Sequence, residues 1–200
     1  MKILFLTNNP ITKSLSDWLR YNAQEEITIT DERISKAMLD HEMPVLTISY
    51  NYRYIIPKDI LNALNGRVIN LHISLLPWNK GADPNVWSFL EETPKGVTIH
   101  LLEEGVDTGK ILLQKEILFD EDKETLFSSY KFLHEEIQKL FIENWQQIKC
   151  FDIVPIPQPV GGSRHTTKNF VKIRHILGDE GWNTSISEVK KRYAELLGQR

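Results

Sequence analysis

The sequence alternates short apolar runs with helix-compatible segments, and this alternation constrains the fold more than any other feature. Most of the runs are apolar on both faces, which is typical of strands in a parallel sheet because helices cover both of its sides. The pattern therefore predicts an α/β fold with a doubly wound, mostly parallel sheet and a functional site at the strands' carboxyl ends. The predicted strands are 2–7, 27–30, 44–49, 67–73, 97–102 and 111–118, and the predicted helices include 11–23, 59–64 and 84–92.

The last third of the chain has a different pattern. Apolar residues at steps of three to five predict one long helix over 126–148. Beyond Cys150, several prolines and a Gly-Gly pair interrupt helical structure, the run at 170–173 predicts a strand, and the final segment predicts a closing helix. We therefore expect a main domain of residues 1–150 and a C-terminal appendage of residues 151–200, built from a small hairpin and a helix.

Composition excludes several classes of protein. A chain of 200 residues with 41% hydrophobic residues can bury a core without disulfides or a metal. Its single cysteine cannot form an internal disulfide, and the absence of an apolar leader predicts a cytoplasmic protein. No run is long enough to span a bilayer, and a net charge of -3 gives no general attraction to a polyanion. We expect no metal, no membrane contact and no nucleic acid as the main partner.

Three polar residues could bring acid–base chemistry to one place. Asn70 and His72 point to the same face of a predicted strand, and the helix and strand that follow can return Asp107 beside them. An amide N–H can hold a developing oxyanion, an imidazole can exchange protons near neutral pH, and a carboxylate can orient that imidazole. His100, on the returning strand, is expected to be structural or to support these residues, and His134 on the long helix is expected to be solvated.

The motifs around these residues resemble those of the formyltransferases that use 10-formyltetrahydrofolate. They are N-L-H-I-S-L-L-P-W-N-K-G at 70–81, G-V-T-I-H at 96–100, V-D-T-G at 106–109 and S-Y-N-Y-R-Y-I-I-P at 49–57. The resemblance is specific over about residues 44–115. It implies the Rossmann-like formyltransferase fold, with residues 1–150 as the catalytic domain.

In that family, the matching Asn, His and Asp form the catalytic triad, which corresponds here to Asn70, His72 and Asp107. The resemblance implies that His72, alone or with Asp107, deprotonates the acceptor amine while Asn70 holds the formyl oxygen, with no metal. It also implies that main-chain groups around Tyr54, Ile55, Ile56, Glu103, Gly105 and Val106 bind the folate. Trp78, Lys80, Arg53 and Arg164 are candidate contacts to a nucleotide substrate.

Three acceptors compete within the family. Methionyl-tRNA is disfavoured because the enzymes that use it carry a further RNA-binding domain, for which this chain has no room. Glycinamide ribonucleotide is the alternative, but the turn T-N-N-P-I-T-K-S-L at 7–15 has no glycine to form a phosphate-binding nest, and Pro10 removes a donor.

The short sugar N-formyltransferases, which act on dTDP-linked amino-deoxysugars, are the most similar members. The resemblance implies a role in O-antigen or lipopolysaccharide biosynthesis and a homodimer formed through the C-terminal hairpin. The sequence leaves open whether the base of the nucleotide carrier is thymine or uracil. Two alternatives belong to other functional classes. One is a non-catalytic relative that binds folate or a nucleotide, and the other is a hydrolase that releases formate.

Overall fold

The computed structural model describes residues 1–198, and its main feature is a six-stranded central sheet. The sheet contains β1 Lys2–Leu6, β2 Glu26–Thr30, β3 Leu46–Tyr50, β4 Val68–His72, β6 Gly96–Leu101 and β7 Ile111–Glu116, while β5 Lys80–Gly81 and β8 Arg164–His165 form a separate pair. The helices are α1 Lys13–Asn22, α2 Lys36–Glu42, α3 Lys58–Leu64, α4 Pro84–Leu90, α5 Leu126–Glu143, α6 Trp145–Lys149, α7 Thr167–Val171 and α8 Ile186–Gly198.

The strand order is β2-β1-β3-β4-β6-β7. Strands β1 to β4 pair in parallel, whereas β6 runs antiparallel to both β4 and β7. The predicted α/β class with a mostly parallel sheet is confirmed. Because β6 is antiparallel, His100 lies directly opposite Asn70 on β4.

Both faces of the sheet are buried, as the apolar runs predict. On β1, Ile3 and Phe5 belong to an apolar cluster that includes side chains of α1, α5 and α6. Leu4 and Leu6 belong to a second cluster with side chains of α2 and α3 on the other face. Successive side chains of a strand point to opposite faces, so one five-residue strand contributes to both clusters.

The predicted strand at 170–173 is wrong. Residues 167–171 form helix α7, which begins with a reciprocal capping box between Thr166 and Asn169. Phe170 and Ile173 are one helical turn apart and pack together with Val86 and other side chains of α4. A four-residue apolar run does not distinguish a strand from a short buried helix, because either can bury it.

The predicted hairpin is therefore also wrong. The only strand that the described part of the appendage contributes to a sheet is Arg164–His165, which pairs in parallel with Lys80–Gly81 of the same chain. The closing helix is confirmed as α8. The single helix predicted over 126–148 is interrupted at Asn144, which has a non-helical backbone between α5 and α6.

The appendage packs tightly against residues 1–150. Ile156 exchanges two main-chain hydrogen bonds of 2.8 Å with Ile111 at the start of β7. Gly162 approaches Pro77 so closely that a Cβ atom there would lie 2.0 Å from the Pro77 carbonyl oxygen. The apolar side chains of α7 and α8 share one cluster with those of α4. The chain from 151 onward is thus held against the first 150 residues.

Alanine substitutions at the Gly-Gly pair test this docking. Gly161 and Gly162 have φ angles of +101° and +94°, so alanine is strained at both positions by about 1–2 kcal/mol. A Cβ at Gly161 meets no atom within 4 Å, whereas one at Gly162 collides with Pro77. We expect Gly162→Ala to lower the free energy of unfolding in urea clearly more than Gly161→Ala. Equal losses would contradict the docked position of the segment.

Candidate active site

A cavity of about 730 Å³ opens beside the carboxyl ends of β3 and β4. This agrees with the site position predicted for a doubly wound sheet, and the volume is in the range of small-molecule sites. Most of its lining comes from the segment after β3, the end of β4, the loop after β6 and the start of the appendage. These stretches are 51–58, 70–72, 81–82, 102–107 and 164–167.

Asn70, His72 and Asp107 meet in this cavity. Alternation along β4 sends Ile69 and Leu71 into the apolar core and leaves Asn70 and His72 on the other face. The Asn70 amide nitrogen lies 3.3 Å from Asp107 Oδ1, and His72 Nδ1 lies 3.7 Å from Asp107 Oδ2. The structure therefore brings the three sequence-predicted residues together.

His72 is a buried imidazole between two hydrogen-bond acceptors. Its side chain has the Asp107 carboxylate on the Nδ1 side, and its Nε2 donates to the Asn79 carbonyl at 3.2 Å. Burial lowers the pKa of His72 below its ordinary value, although Asp107 opposes this effect. The ring is therefore neutral at neutral pH. Both neighbours can stabilise it once it takes up a proton.

Asp107 is a buried carboxylate with several donors around it. Burial by itself would raise the pKa of Asp107, but His72, His100 and the Gly81 N–H together hold it well below its usual range. The Gly81 N–H donates to Oδ2 at 2.8 Å, and His100 Nε2 lies 3.5 Å from Oδ1. Asp107 therefore stays ionised near neutral pH.

His100 supports the triad from the neighbouring strand. It is fully buried, and its Nδ1 donates to the Leu101 carbonyl at 2.8 Å. That contact leaves Nε2 on the side of Asn70, whose amide nitrogen is 3.3 Å away. His100 thus occupies the supporting position expected from the sequence.

Most of the other predicted contact residues also line the cavity. Its lining includes Tyr54, Ile55, Ile56, Glu103, Gly105 and Val106, together with Arg53 and Arg164. Trp78 and Lys80 lie outside the lining. Trp78 is half-buried in the loop before β5, and Lys80 precedes Gly81, which does line the cavity.

Several residues of the cavity lining have main-chain N–H groups without protein partners in the described part of the chain. Within residues 1–198, the N–H groups of Tyr54, Ile55 and Ile56, and those of 103–107, make no hydrogen bond to the protein. Apolar side chains of Ile56, Leu102 and Val106 lie beside them in the lining. Free main-chain donors next to apolar walls suit a flat, polar-edged ring.

A second buried polar group lies behind the cavity, and sequence reasoning missed it. His134, expected to be solvated, is only 1% exposed because α5 turns this side toward the sheet. Its Nδ1 lies 2.6 Å from the Tyr50 hydroxyl, and its Nε2 lies 3.4 Å from the amide of Asn51, which lines the cavity. Burial lowers the pKa of His134 to about 3. The signal that could have predicted this burial is the spacing of Tyr130, His134 and Gln138, which lie one turn apart on the same face of α5.

Within residues 1–198, no helix combines the length and apolar character needed to cross a bilayer. In the same part of the chain, no group of three or more His, Cys, Asp or Glu side chains is arranged to hold a metal ion.

Comparison with known proteins identifies the family of this chain. The family described as formyl transferase matches residues 11–144, more than half of the chain, so the chain belongs to this family. The chain is also similar to the formyltransferase PseJ from Anoxybacillus kamchatkensis, with 44% identity and a TM-score of 0.87. That match covers 96% of this chain and 100% of PseJ, whose crystal structure holds UDP-4,6-dideoxy-4-formamido-L-AltNAc and tetrahydrofolate.

Other similar proteins include one whose name gives a different acceptor. A methionyl-tRNA formyltransferase from Thermodesulfovibrio yellowstonii is 42% identical over 152 residues, which are 73% of this chain and 46% of that protein. The chain spans about half the length of the first curated relatives it matches. A 4-N formyltransferase from Francisella tularensis shares the fold, with a TM-score of 0.75 at 21% identity over 96% of this chain and 87% of that one.

Replacing the buried histidine tests its neutral state. His134 takes up a proton in the unfolded chain near its ordinary pKa of 6.5 but in the folded protein only near 3. The unfolded state therefore binds more protons between these values, and acid destabilises the fold. We expect wild-type stability to fall relative to His134→Gln as pH drops from about 6.5 towards 3, by up to about 1.4 kcal/mol per pH unit.

Urea unfolding at a series of pH values measures this difference. His41→Gln, at an exposed position on α2, is the matched control for loss of a histidine. A difference between wild type and His134→Gln that stays constant with pH would show that His134 does not titrate in this way.

Proposed function

We propose that this protein transfers a formyl group from 10-formyltetrahydrofolate to the amine of a nucleotide-linked amino sugar. The observation that carries the proposal is the buried contact between Asn70, His72 and Asp107 on the wall of a ligand-sized cavity. The likeness to PseJ over nearly the whole chain supports the sugar acceptor.

The cavity fits the folate co-substrate. The free main-chain donors of 54–56 and 103–107 can bind the polar edge of a pterin ring, and Ile56, Leu102 and Val106 can cover its faces. When bound, 10-formyltetrahydrofolate supplies the carbonyl carbon that the acceptor amine attacks. We assign Tyr54, Ile55, Ile56, Glu103, Gly105 and Val106 to this half of the site.

His72 has the properties of the general base. Its lowered pKa keeps the imidazole neutral, so it can take a proton from the attacking amine at neutral pH. The contact between Nε2 and the Asn79 carbonyl favours the tautomer with its proton on Nε2, which leaves Nδ1 to receive the new proton. Asp107 then stabilises the imidazolium, and His72 can return the proton to the departing folate nitrogen.

Asn70 is the proposed donor to the formyl oxygen. Its two amide hydrogens face Asp107 Oδ1 and His100 Nε2, both at a long 3.3 Å. Such long contacts are weak, so a formyl oxygen that gains negative charge can compete for one of these hydrogens.

The proposal also specifies the nucleotide that carries the sugar and the position of its amine. The sequence resemblance favoured dTDP, whereas the PseJ complex contains a UDP-linked sugar formylated at position 4. We therefore propose UDP as the carrier and a 4-amino sugar as the acceptor. Arg53 and Arg164, on the cavity wall, are the proposed partners of the diphosphate.

The turn after β1 weighs against glycinamide ribonucleotide. From Thr7 to Thr12, every main-chain N–H donates to a protein acceptor, except at Pro10, which has none. The Asn9 side chain itself accepts from Ile11. A phosphate at this turn would therefore find no free main-chain donor between Thr7 and Thr12.

Methionyl-tRNA is the second candidate acceptor, because the curated relative at 42% identity is named methionyl-tRNA formyltransferase. Formyl transfer assays with the 4-amino precursor of the PseJ ligand and with methionyl-tRNA separate the two. Faster formylation of methionyl-tRNA would overturn the sugar proposal.

Substitution of the triad tests catalysis directly. We expect His72→Ala to lower kcat by about a hundredfold to ten-thousandfold and Asn70→Ala by about a hundredfold to a thousandfold. The affinity for a tetrahydrofolate analogue should change little, because the main chain of other segments binds it. The exposed residues His175 and Asn183 provide alanine controls that should retain activity. Unchanged turnover in the triad variants would favour a non-catalytic binding protein.

Thermal unfolding with ligands tests the carrier. We expect UDP to raise the midpoint more than dTDP or glycinamide ribonucleotide, with and without a stable tetrahydrofolate analogue, because a ligand that binds only the native state stabilises it. A larger shift with dTDP would restore the carrier expected from the sequence. A shift with glycinamide ribonucleotide alone would contradict a sugar acceptor.

A further inference from the structure

A segment of the appendage runs beside the loop that carries Asp107. Its residues 156–165 lie outside the part of the chain matched by the family, which ends at residue 144. Two main-chain hydrogen bonds between Ile156 and Ile111 fix one end of the segment, and the pairing of β8 with β5 fixes the other. Gln158 lies between these two anchors.

The Gln158 side chain binds the Asp107 turn through two hydrogen bonds. Its amide nitrogen donates to the carbonyl oxygens of Asp107 at 2.8 Å and of Gly109 at 2.7 Å. Because both carbonyls can only accept, the orientation of the amide is determined. Its Oε1 atom is buried and has no partner among residues 1–198. The side chain therefore makes its hydrogen bonds to this turn alone.

The turn has a backbone that needs external support. Asp107 has a φ of +53°, in the left-handed region that a residue with a Cβ seldom adopts. On the other side of the turn, Gly109 packs so closely that a Cβ there would lie 1.8 Å from the Leu101 carbonyl oxygen. The turn is thus held between the end of β6 and Gln158.

We propose that Gln158 is a positioning residue for catalysis, which acts by holding the Asp107 turn so that the carboxylate stays beside His72. This inference rests on the proposed formyl transfer. A displacement of the turn would lengthen the 3.7 Å contact between Asp107 and His72, and small misplacements of reacting groups are costly to turnover.

The titration of His72 reports the position of the carboxylate. The titratable groups that face His72 are Asp107 and His100, with His134 farther away on α5. A carboxylate nearby stabilises the imidazolium, so its displacement should lower the pKa of His72. The acidic limb of the kcat/KM profile should then move to lower pH.

The test is Gln158→Met, which keeps the length of the side chain and removes both donors. We expect kcat to fall roughly ten- to a hundredfold, with smaller changes in KM for both substrates and a lower pKa of His72 in an NMR titration. Thr184→Val is the matched control: it removes a side-chain hydrogen bond to the Leu177 carbonyl, at a buried position outside the cavity lining. It should lower stability and leave kcat and the pH profile unchanged.

The NMR titration needs no turnover, so it separates this inference from the proposed function. If wild type formylates no acceptor but Gln158→Met still lowers the pKa of His72, the function is wrong and Gln158 nonetheless holds Asp107. If the pKa of His72 and the kcat of Gln158→Met match those of wild type, or if kcat falls no more than in Thr184→Val, Gln158 is not a positioning residue.

Discussion

The buried charge of Asp107 is the constraint on which the arrangement of the site depends. An ionised carboxylate that is only 7% exposed costs several kcal/mol in desolvation unless donors surround it. Here the donors come from separate parts of the chain: the Gly81 N–H from β5 and the Asn70 amide from β4, while His100 of β6 lies beside the same carboxylate. Each of these elements must therefore be in place before Asp107 can remain charged beside His72.

The sheet supplies this convergence through a change in strand direction. Strands β1 to β4 are parallel, and their ends bring the segment after β3 and the end of β4 to one side. Antiparallel β6 then places His100 opposite Asn70 and carries the chain into the turn that contains Asp107. The same geometry explains why His72 stays neutral: it is enclosed by the sheet, the turn and the loop through Asn79.

Sequence reasoning succeeded where the signal is local. The strands with apolar runs on both faces and the N-L-H and D-T-G motifs depend on residues close together in the chain, and the structure brings Asn70, His72 and Asp107 into contact. It failed where burial depends on distant neighbours. The sequence alone predicts that His134 is an ordinary exposed position of a helix. In the folded protein it is buried against Tyr50 and Asn51, which lie more than 80 residues earlier in the chain. Likewise, the apolar residues of the run at 170–173 lie in and just after helix α7, where they pack on apolar side chains of α4.

Local patterns were sufficient to predict the α/β class, the alternation of strands and helices and the three residues that meet in the cavity, because backbone periodicity and short motifs depend on residues close together in the chain. Local patterns did not predict which groups satisfy the buried carboxylate, that Gln158 reaches the Asp107 turn, or that the appendage docks on Pro77 and Lys80–Gly81. The contacts of Gln158 and of the docked appendage join residues 49 to 85 positions apart, and the donors to Asp107 lie 26 and 37 positions from it. They depend on the path of the whole chain, which no local pattern specifies.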